Sequence, residues 1–132
     1  MTTAPQDFGC PHCFGPDPEA LWTARPWHEL AALVEDSHFS VRVVACPRCS
    51  QRFVKLFTEF VDWSAGNDAQ HWDVVPISAA EADVMVAEGE AVSLHRIEAL
   101  SSGRRQLRVD FPSTGPRAIH FATARLFIMP GH

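Results

Sequence analysis

Long apolar stretches are missing from this 132-residue sequence. Nothing in it approaches the roughly 20 consecutive apolar residues that a membrane-spanning helix needs. The first dozen residues, from Met1 to His12, also lack the basic start and the apolar run that direct a chain to export. We therefore expect a cytoplasmic protein, in a compartment where thiols stay reduced.

Hallmarks of several enzyme classes are missing as well. The sequence contains neither GxGxxG nor GxxxxGK(S/T), the glycine-rich loops that cradle phosphates. It contains no GxSxG elbow for a serine nucleophile. Its histidines show no HxxxH or HxH spacing, so a histidine-based metal site is not indicated. We expect no catalytic residue and a protein that is not an enzyme.

Positive charge is scarce, which argues against a general nucleic-acid-binding protein. The formal net charge is −5, and Lys55 is the only lysine beside ten arginines, a bias that codon usage explains as readily as function. Residues 1–95 carry five basic and fourteen acidic side chains, whereas residues 96–132 carry six and two. One interpretation is a basic sheet face packed beside an acidic one. The other is a site for an anion, an acidic partner or a nucleic acid, formed by Arg104, Arg105, Arg108, Arg117 and Arg125.

Apolar residues are abundant enough for a real core. They make up nearly half of the chain, with nine Phe and four Trp, and a chain of this length forms one domain of ordinary size. We interpret Trp22, Trp27, Trp63 and Trp72 as core or as packing against a metal module. We interpret Asp62, Asp68 and Asp73 as surface acids near a turn.

All four cysteines fall into two pairs of one form, Cys10-Pro11-His12-Cys13 and Cys46-Pro47-Arg48-Cys49. Two intervening residues allow one tight turn to aim both sulfurs at one ion, and the proline presets φ for that turn. Two such turns make a tetrahedral four-sulfur site. In a reducing compartment, paired cysteines indicate metal ligation rather than a disulfide. The sequence therefore predicts a metal site formed by Cys10, Cys13, Cys46 and Cys49.

These paired Cys-Pro-x-Cys turns resemble the knuckles of zinc ribbons and also those of rubredoxin-like iron proteins. The resemblance covers the two tetrapeptides and extends to the strands around Cys46–Trp63. It implies a structural Zn²⁺, with Fe as the alternative. A redox dithiol and unligated core cysteines remain further interpretations. Catalytic zinc is disfavoured because four thiolates leave no open position, and His12 is expected in a solvent-facing or supporting role rather than as a ligand.

Apolar periodicity predicts the elements. Pro26 and the stripe Trp27, Leu30, Ala31, Val34 predict a helix over 26–36. Strands are predicted at Ser40–Ala45, Gln51–Trp63, His71–Ile77 and around 107–111, and Ala91–Leu100 is also interpreted as a strand. Short helices are predicted after Asp17 and from Ser78, where a capping box begins, to Gly89. Ala118–Met129 fits either state.

We expect an α+β fold: an antiparallel sheet with a four-cysteine zinc-ribbon module and two or three short helices. The whole chain, 1–132, is predicted to be a single domain, with the zinc-ribbon module over about 8–63 and an α+β remainder over 64–132. The favoured function is a non-enzymatic interaction or scaffold protein with another protein as partner. The alternatives are a nucleic-acid-binding regulator that uses the arginine-rich C-terminal region and a small redox or electron-transfer protein with a rubredoxin-like site.

Overall fold

A computed structural model describes residues 8–60 and 68–129 of the chain. Over these residues the elements follow in the order α1 (Pro18–Ala24), β1 (His28–Glu35), β2 (Phe39–Ala45), β3 (Arg52–Phe60), β4 (Ala69–Ile77), α2 (Ala79–Glu88), a 3-10 turn (Gly89–Ala91), α3 (Leu94–Ser101), β5 (Gln106–Phe111) and β6 (Ala118–Ala122). No helix within the described ranges is long and apolar enough to cross a membrane.

The six strands form one antiparallel sheet in the order β1-β2-β3-β4-β5-β6. Each strand therefore pairs with its neighbour in sequence, and α2 and α3 lie in the single long connection, between β4 and β5. This architecture confirms the predicted α+β class with an antiparallel sheet and short helices. The division into a module over 8–63 and a remainder over 64–132 stays a prediction.

The sheet is buried on both faces. One face, here called the helix face, packs against α2 and α3 through a cluster that includes Val54, Leu56, Met85 and Ile97. The opposite face, here called the cysteine face, is covered by α1 and the first cysteine turn. Its cluster contains Cys13, Leu21, Trp22, Val44, Cys46, Phe53, Val74, Leu107 and Val109.

The apolar residues of strand β3 do not alternate strictly with polar ones, and the sheet packing explains this. Phe53 belongs to the cysteine face, whereas Val54 and Leu56 belong to the helix face. The pairing of β3 with β2 is continuous from Phe39↔Thr58 to Ala45↔Arg52, with no register shift. Burial on two sides, rather than a bulge, therefore accounts for apolar residues on both parities.

The helix starts follow the capping signals. Asp17 accepts hydrogen bonds from the amides of Glu19 and Ala20, which begins α1. Ser78 and Glu81 form the reciprocal bonds of a capping box at the start of α2. Gly89 ends α2 with φ of +58°, a conformation in which a side chain is strained. These predictions are confirmed.

The helix predicted over 26–36 is wrong, because His28–Glu35 forms strand β1. The strand lies at the sheet edge and pairs only with β2, and its register shifts twice, between Glu29 and Ala31 and between Ala32 and Val34. These shifts break the two-residue period, so the apolar spacing imitates that of a helix. Leu30 is in fact exposed, whereas Leu33, which lies off the predicted stripe, is buried.

The strand predicted over Ala91–Leu100 is also wrong, because Leu94–Ser101 forms helix α3. The side chain of Ser93 accepts a hydrogen bond from the amide of Arg96 and caps the helix. Ile97 and Ser101, four residues apart, are fully buried on one face of the helix. The segment is too short for its helical period to stand out from its β-branched and apolar content.

Two residues interpreted from the sequence, Asp62 and Trp63, lie outside the described residues.

The ion pair between Glu81 and Arg104 joins α2 to the start of β5, with Nη1–Oε1 and Nη2–Oε2 distances of 2.8 and 2.9 Å. The Arg104 guanidinium lowers the pKa of Glu81. A lowered pKa in the folded state stabilises the fold above the unfolded pKa and loses this effect as pH falls. We predict that Glu81→Gln, which keeps a capping-box side chain, loses about 1 kcal/mol of unfolding free energy at neutral pH.

Urea unfolding at several pH values measures this difference. The gap between the native protein and Glu81→Gln should shrink as pH falls below about 4.3, the ordinary glutamate pKa. Glu90→Gln is the matched control, since Glu90 is exposed and has no ion-pair partner among the described residues. A gap that is constant down to strongly acidic pH would show that the charge of Glu81 is not responsible.

Candidate metal centre

The four cysteine sulfurs meet at one point on the cysteine face. Their Sγ atoms all lie within 4.8 Å of one another. The Sγ–Sγ distances are 3.9 Å for Cys10–Cys13, 3.9 Å for Cys10–Cys46 and 3.6 Å for Cys13–Cys49. These separations exceed the ~2.05 Å of a disulfide bond. They match the edge of about 3.8 Å that a tetrahedron has when its metal–sulfur bonds are ~2.3 Å.

The second cysteine turn is the connection of the β2–β3 hairpin. The amide of Cys46 donates to the Gln51 carbonyl, and the amide of Ser50 donates to the Cys46 carbonyl. The strand pairing, which reaches Ala45↔Arg52, thus continues directly into the turn. Ser50, directly after the second cysteine of this turn, has φ of +65°, in the left-handed region that favours glycine. The turn therefore adopts this backbone conformation without a glycine.

Unlike the second turn, the first cysteine turn does not connect two strands among the described residues. Tertiary contacts hold it in place. Amides of Cys13 and Phe14 donate to the Cys10 carbonyl and close the turn. The Trp27 indole Nε1 donates to the Cys13 carbonyl at 3.3 Å. The Gly9 amide donates to the Gln51 side-chain oxygen at 3.2 Å. The turn is therefore attached at one end to the β2–β3 connection and at the other to the residue that precedes β1.

Sequence reasoning missed Gln51 as a residue of the site. While its oxygen accepts from Gly9, its Nε2 donates to the carbonyls of Arg52 and Ile77 at 2.7 and 2.8 Å. One amide side chain thus links the first cysteine turn, the hairpin and the end of β4. The signal in the sequence was weak, namely a polar residue with both donors and acceptors shortly after a cysteine pair.

The thiols differ in their affinity for protons. Amide donation by Cys13 to the Cys10 sulfur lowers the pKa of Cys10 to about 7. Burial raises the pKa of Cys13 and that of Cys49. Four sulfurs this close cannot all be thiolates unless a cation offsets their charge. The donor set thus fits a thiophilic metal ion, so the four cysteines could hold a metal, as predicted.

The aromatic side chains surround this sulfur cluster, as predicted for three of the four tryptophans. Phe53, on β3, contacts both Phe14 and Trp27, with ring centroids 5.9 Å apart in each pair. Trp22 and Trp72 pack together next to this group, at 5.3 Å. This apolar layer lies under the sulfurs and limits access of water from the sheet side.

The five C-terminal arginines have different contacts in the structure. Arg104 binds Glu81 on the helix face, and Arg108 donates to Gln106 and to the Ala124 carbonyl. Arg104 also lies over the Phe8 ring, and Arg105 packs against Phe14 and Phe121 beside the first cysteine turn. Arg117 lies over the Phe111 ring, and Arg125 is exposed. An anion or nucleic-acid site that uses all five stays a prediction.

Asp73 is not the surface acid that the sequence predicted. It lies on β4 with only 6% of its surface exposed. Its Oδ2 is 2.7 Å from His71 Nε2, and its Oδ1 is 3.6 Å from Arg108 Nε. The hydrogen bond with Asp73 raises the pKa of His71. The prediction failed because Asp73 lies inside the sheet, paired with Leu56 of β3 and Arg108 of β5, and no local pattern indicates these neighbours. Asp68 is exposed, as predicted.

Comparisons with known proteins identify no relatives. No protein-family model matches the sequence, no curated protein is significantly similar to it, and no solved structure matches its fold. The zinc-ribbon resemblance therefore depends on the geometry of the four sulfurs and the two turns alone.

Gly9 is the residue whose replacement tests the site without removing a sulfur. An added Cβ would lie 2.6 Å from Cys13 Sγ and 3.1 Å from Phe14 Cβ, at a φ of +79°. Because contacts this short force the sulfur to move, we predict that Gly9→Ala weakens metal binding by roughly tenfold or more. Competition with a chromophoric chelator measures the affinity.

Gly103→Ala is the matched control for backbone strain. Gly103 has the same φ of +79°, but its added Cβ would have no neighbour within 4 Å. Both variants should lose similar conformational stability from the left-handed backbone, and only Gly9→Ala should lose metal affinity. Equal metal affinities in the two variants would contradict the placement of Gly9 against the sulfur.

Proposed function

We propose that the four cysteines bind a structural Zn²⁺ and that the protein is a non-enzymatic interaction or scaffold protein. The observation that carries this proposal is the closed donor set: four sulfurs at tetrahedral separations, from two turns that are 32 residues apart in the chain. Tetrahedral zinc with four thiolates has no position left for a water or a substrate. In this proposal the ion therefore stabilises the fold and takes no part in a reaction.

Iron is the alternative metal, because the same four thiolates suit a rubredoxin-type centre. Elemental analysis of the purified protein distinguishes the two metals, and so does colour, because an iron–thiolate centre absorbs visible light and a zinc centre does not. We predict one zinc per chain and a colourless protein. Protein that contains iron and is coloured would favour the electron-transfer alternative.

A cysteine replacement tests the structural role. Cys46 is buried beside the aromatic cluster. We predict that Cys46→Ser binds no zinc and loses order in the first cysteine turn and in α1, while the sheet keeps its helix-face core. Metal content and backbone amide exchange measure the two effects. Ala45→Ser, which adds a buried hydroxyl one residue earlier without removing a sulfur, should keep its metal; a Cys46→Ser protein with native metal content would contradict the four-ligand assignment.

A cleft beside the first cysteine turn is the surface we assign to a partner. Its volume is about 660 Å³, and it lies between this turn and the α3–β5 connection. Phe8, Pro11, Phe14 and Pro16 give it apolar walls. Because the metal would hold the turn, it would also hold one wall of the cleft in place, which is how a structural ion supports recognition.

Arg105 supplies the polar anchor of this cleft. Its guanidinium carbon lies 4.0 Å from the Phe14 ring centroid and 4.1 Å from that of Phe121, in the corner between two nearly perpendicular rings. Its Nη2 donates to the Phe14 carbonyl at 2.8 Å. Within the described part of the chain no carboxylate pairs with it. A guanidinium that is fixed by aromatic rings and lacks an ion pair favours a carboxylate ligand.

The partner we propose is therefore a protein segment that presents a carboxylate between apolar side chains. We predict that a fluorescent peptide of alternating Glu and Phe binds, and that its Gln version binds roughly tenfold more weakly, because a charge-assisted hydrogen bond is lost. Arg105→Met should abolish this preference. Arg117→Met, which removes an equal charge outside the cleft, should preserve it; equal behaviour of the two variants in fluorescence anisotropy would contradict the assignment.

A further inference from the structure

A second cavity lies on the cysteine face, away from the sulfurs, and its charges are not explained by the fold. Its volume is about 370 Å³, within the range of small-molecule sites. The sheet forms its floor with Arg42 of β2 and Lys55 of β3, and Trp27, Phe57 and Trp72 form aromatic walls. Glu29 of β1 also lines the cavity, where it is bound to Arg42. The rings of Phe57 and Trp72 are 4.9 Å apart.

Two cations stand directly opposite each other in this floor. The register pairs Arg42 with Lys55 across the strands β2 and β3. Like charges at directly opposed positions destabilise an antiparallel pair. Arg42 is neutralised on its other side, because its Nη1 and Nη2 lie 2.6 and 3.0 Å from carboxylate oxygens of Glu29 and Glu35. These bonds fix the Arg42 guanidinium, but among the described residues they leave Lys55 without an ion-pair partner.

Lys55 shares an aromatic platform with another cation. Its Nζ lies 5.6 Å from the Trp22 ring centroid, and the Arg25 guanidinium carbon lies 4.7 Å from the centroid of the same ring. Over the described ranges neither cation has a carboxylate partner. Arg25 also has a left-handed backbone, with φ of +42°, which strains a residue other than glycine. The fold thus places Lys55, which lines the cavity, and the exposed Arg25 against one tryptophan ring without a carboxylate between them.

The electrostatic environment of Lys55 agrees with this description. Burial lowers the pKa of its ammonium group, and the nearby Arg25 and Arg42 lower it further, whereas the more weakly acting Glu29 raises it. A lysine in a purely structural role would gain from a carboxylate at this position, and none of the described acids provides one at hydrogen-bond distance. The missing partner of the cluster is a negative charge that comes from outside the chain.

We propose that this cavity binds a small organic anion with an aromatic body, whose carboxylate lies between Lys55 and Arg25 and whose ring packs against Trp27, Phe57 and Trp72. The cations provide the charge complement, and the aromatic walls provide apolar surface of matching character. The proposal is independent of the proposed partner cleft, which lies beside the first cysteine turn and uses Arg105.

Two probes of the same shape test the charge requirement. We expect 2-naphthoate to bind the native, metal-loaded protein in isothermal titration calorimetry and 2-naphthamide to bind at least roughly tenfold more weakly. Lys55→Met, which keeps the length and apolar stem of the side chain, should bring the two affinities within about twofold of each other. Arg96→Met, which removes one positive charge from the exposed side of α3, should leave the preference for naphthoate intact.

The stability of Lys55→Met separates a binding role from a structural one. Lys55→Met removes a cation that lies opposite Arg42 and has no ion-pair partner among the described residues. The midpoint of thermal unfolding should therefore rise by about 2–4 °C, while naphthoate binding falls. A lower unfolding midpoint together with unchanged naphthoate binding would overturn the proposal. Equal binding of naphthoate and naphthamide by the native protein would overturn it as well.

Discussion

The meeting of two cysteine turns is the constraint on which the packing of the cysteine face depends. The helix face needs no such device, because α2 and α3 cover it with a capped helix start and a continuous apolar cluster. The cysteine face is covered by a seven-residue helix and a turn without strand support. Segments this short do not hold a fixed position through their own propensity. A metal ion bound to both turns would hold them there, and it would do so through a hairpin, β2–β3, that the sheet already fixes.

The sequence predicted those parts of the molecule whose physical cause is local. Two residues between cysteines, a serine followed three residues later by glutamate, and Asp17 before proline each act through bonds within one turn. The structure contains all of these features as expected. The antiparallel class also followed from local content, since several short β-branched segments separated by turn residues have few other arrangements. The four sulfurs are therefore the best predicted part of the candidate site.

The errors arose where long-range packing decides. The apolar residues of β1 have the spacing of a helix, and two register shifts at the sheet edge allow this spacing to form a strand. α3 has β-like composition, but Ser93 caps it and Ile97 finds a place against the sheet. Asp73 is buried inside the sheet, beside Arg108 of a strand that follows two later helices. In each case the conformation or burial depends on a partner that is distant in sequence, and the local amino-acid composition does not reveal that partner.

The same distinction separates the polar groups that the fold satisfies from those that it leaves open. Arg104 and Arg42 each have carboxylate partners at short distances, so they are explained by stability. Arg105 and Lys55 lie against aromatic rings instead, and they lack ion-pair partners among the described residues. A satisfied charge fixes architecture, whereas an ordered but unsatisfied charge is available to a ligand. Both open charges lie on the cysteine face, and α1, which follows the first cysteine turn by a few residues, supplies the Trp22 ring against which Lys55 lies. A metal that joined the two cysteine turns would therefore also help to hold this ring beside Lys55.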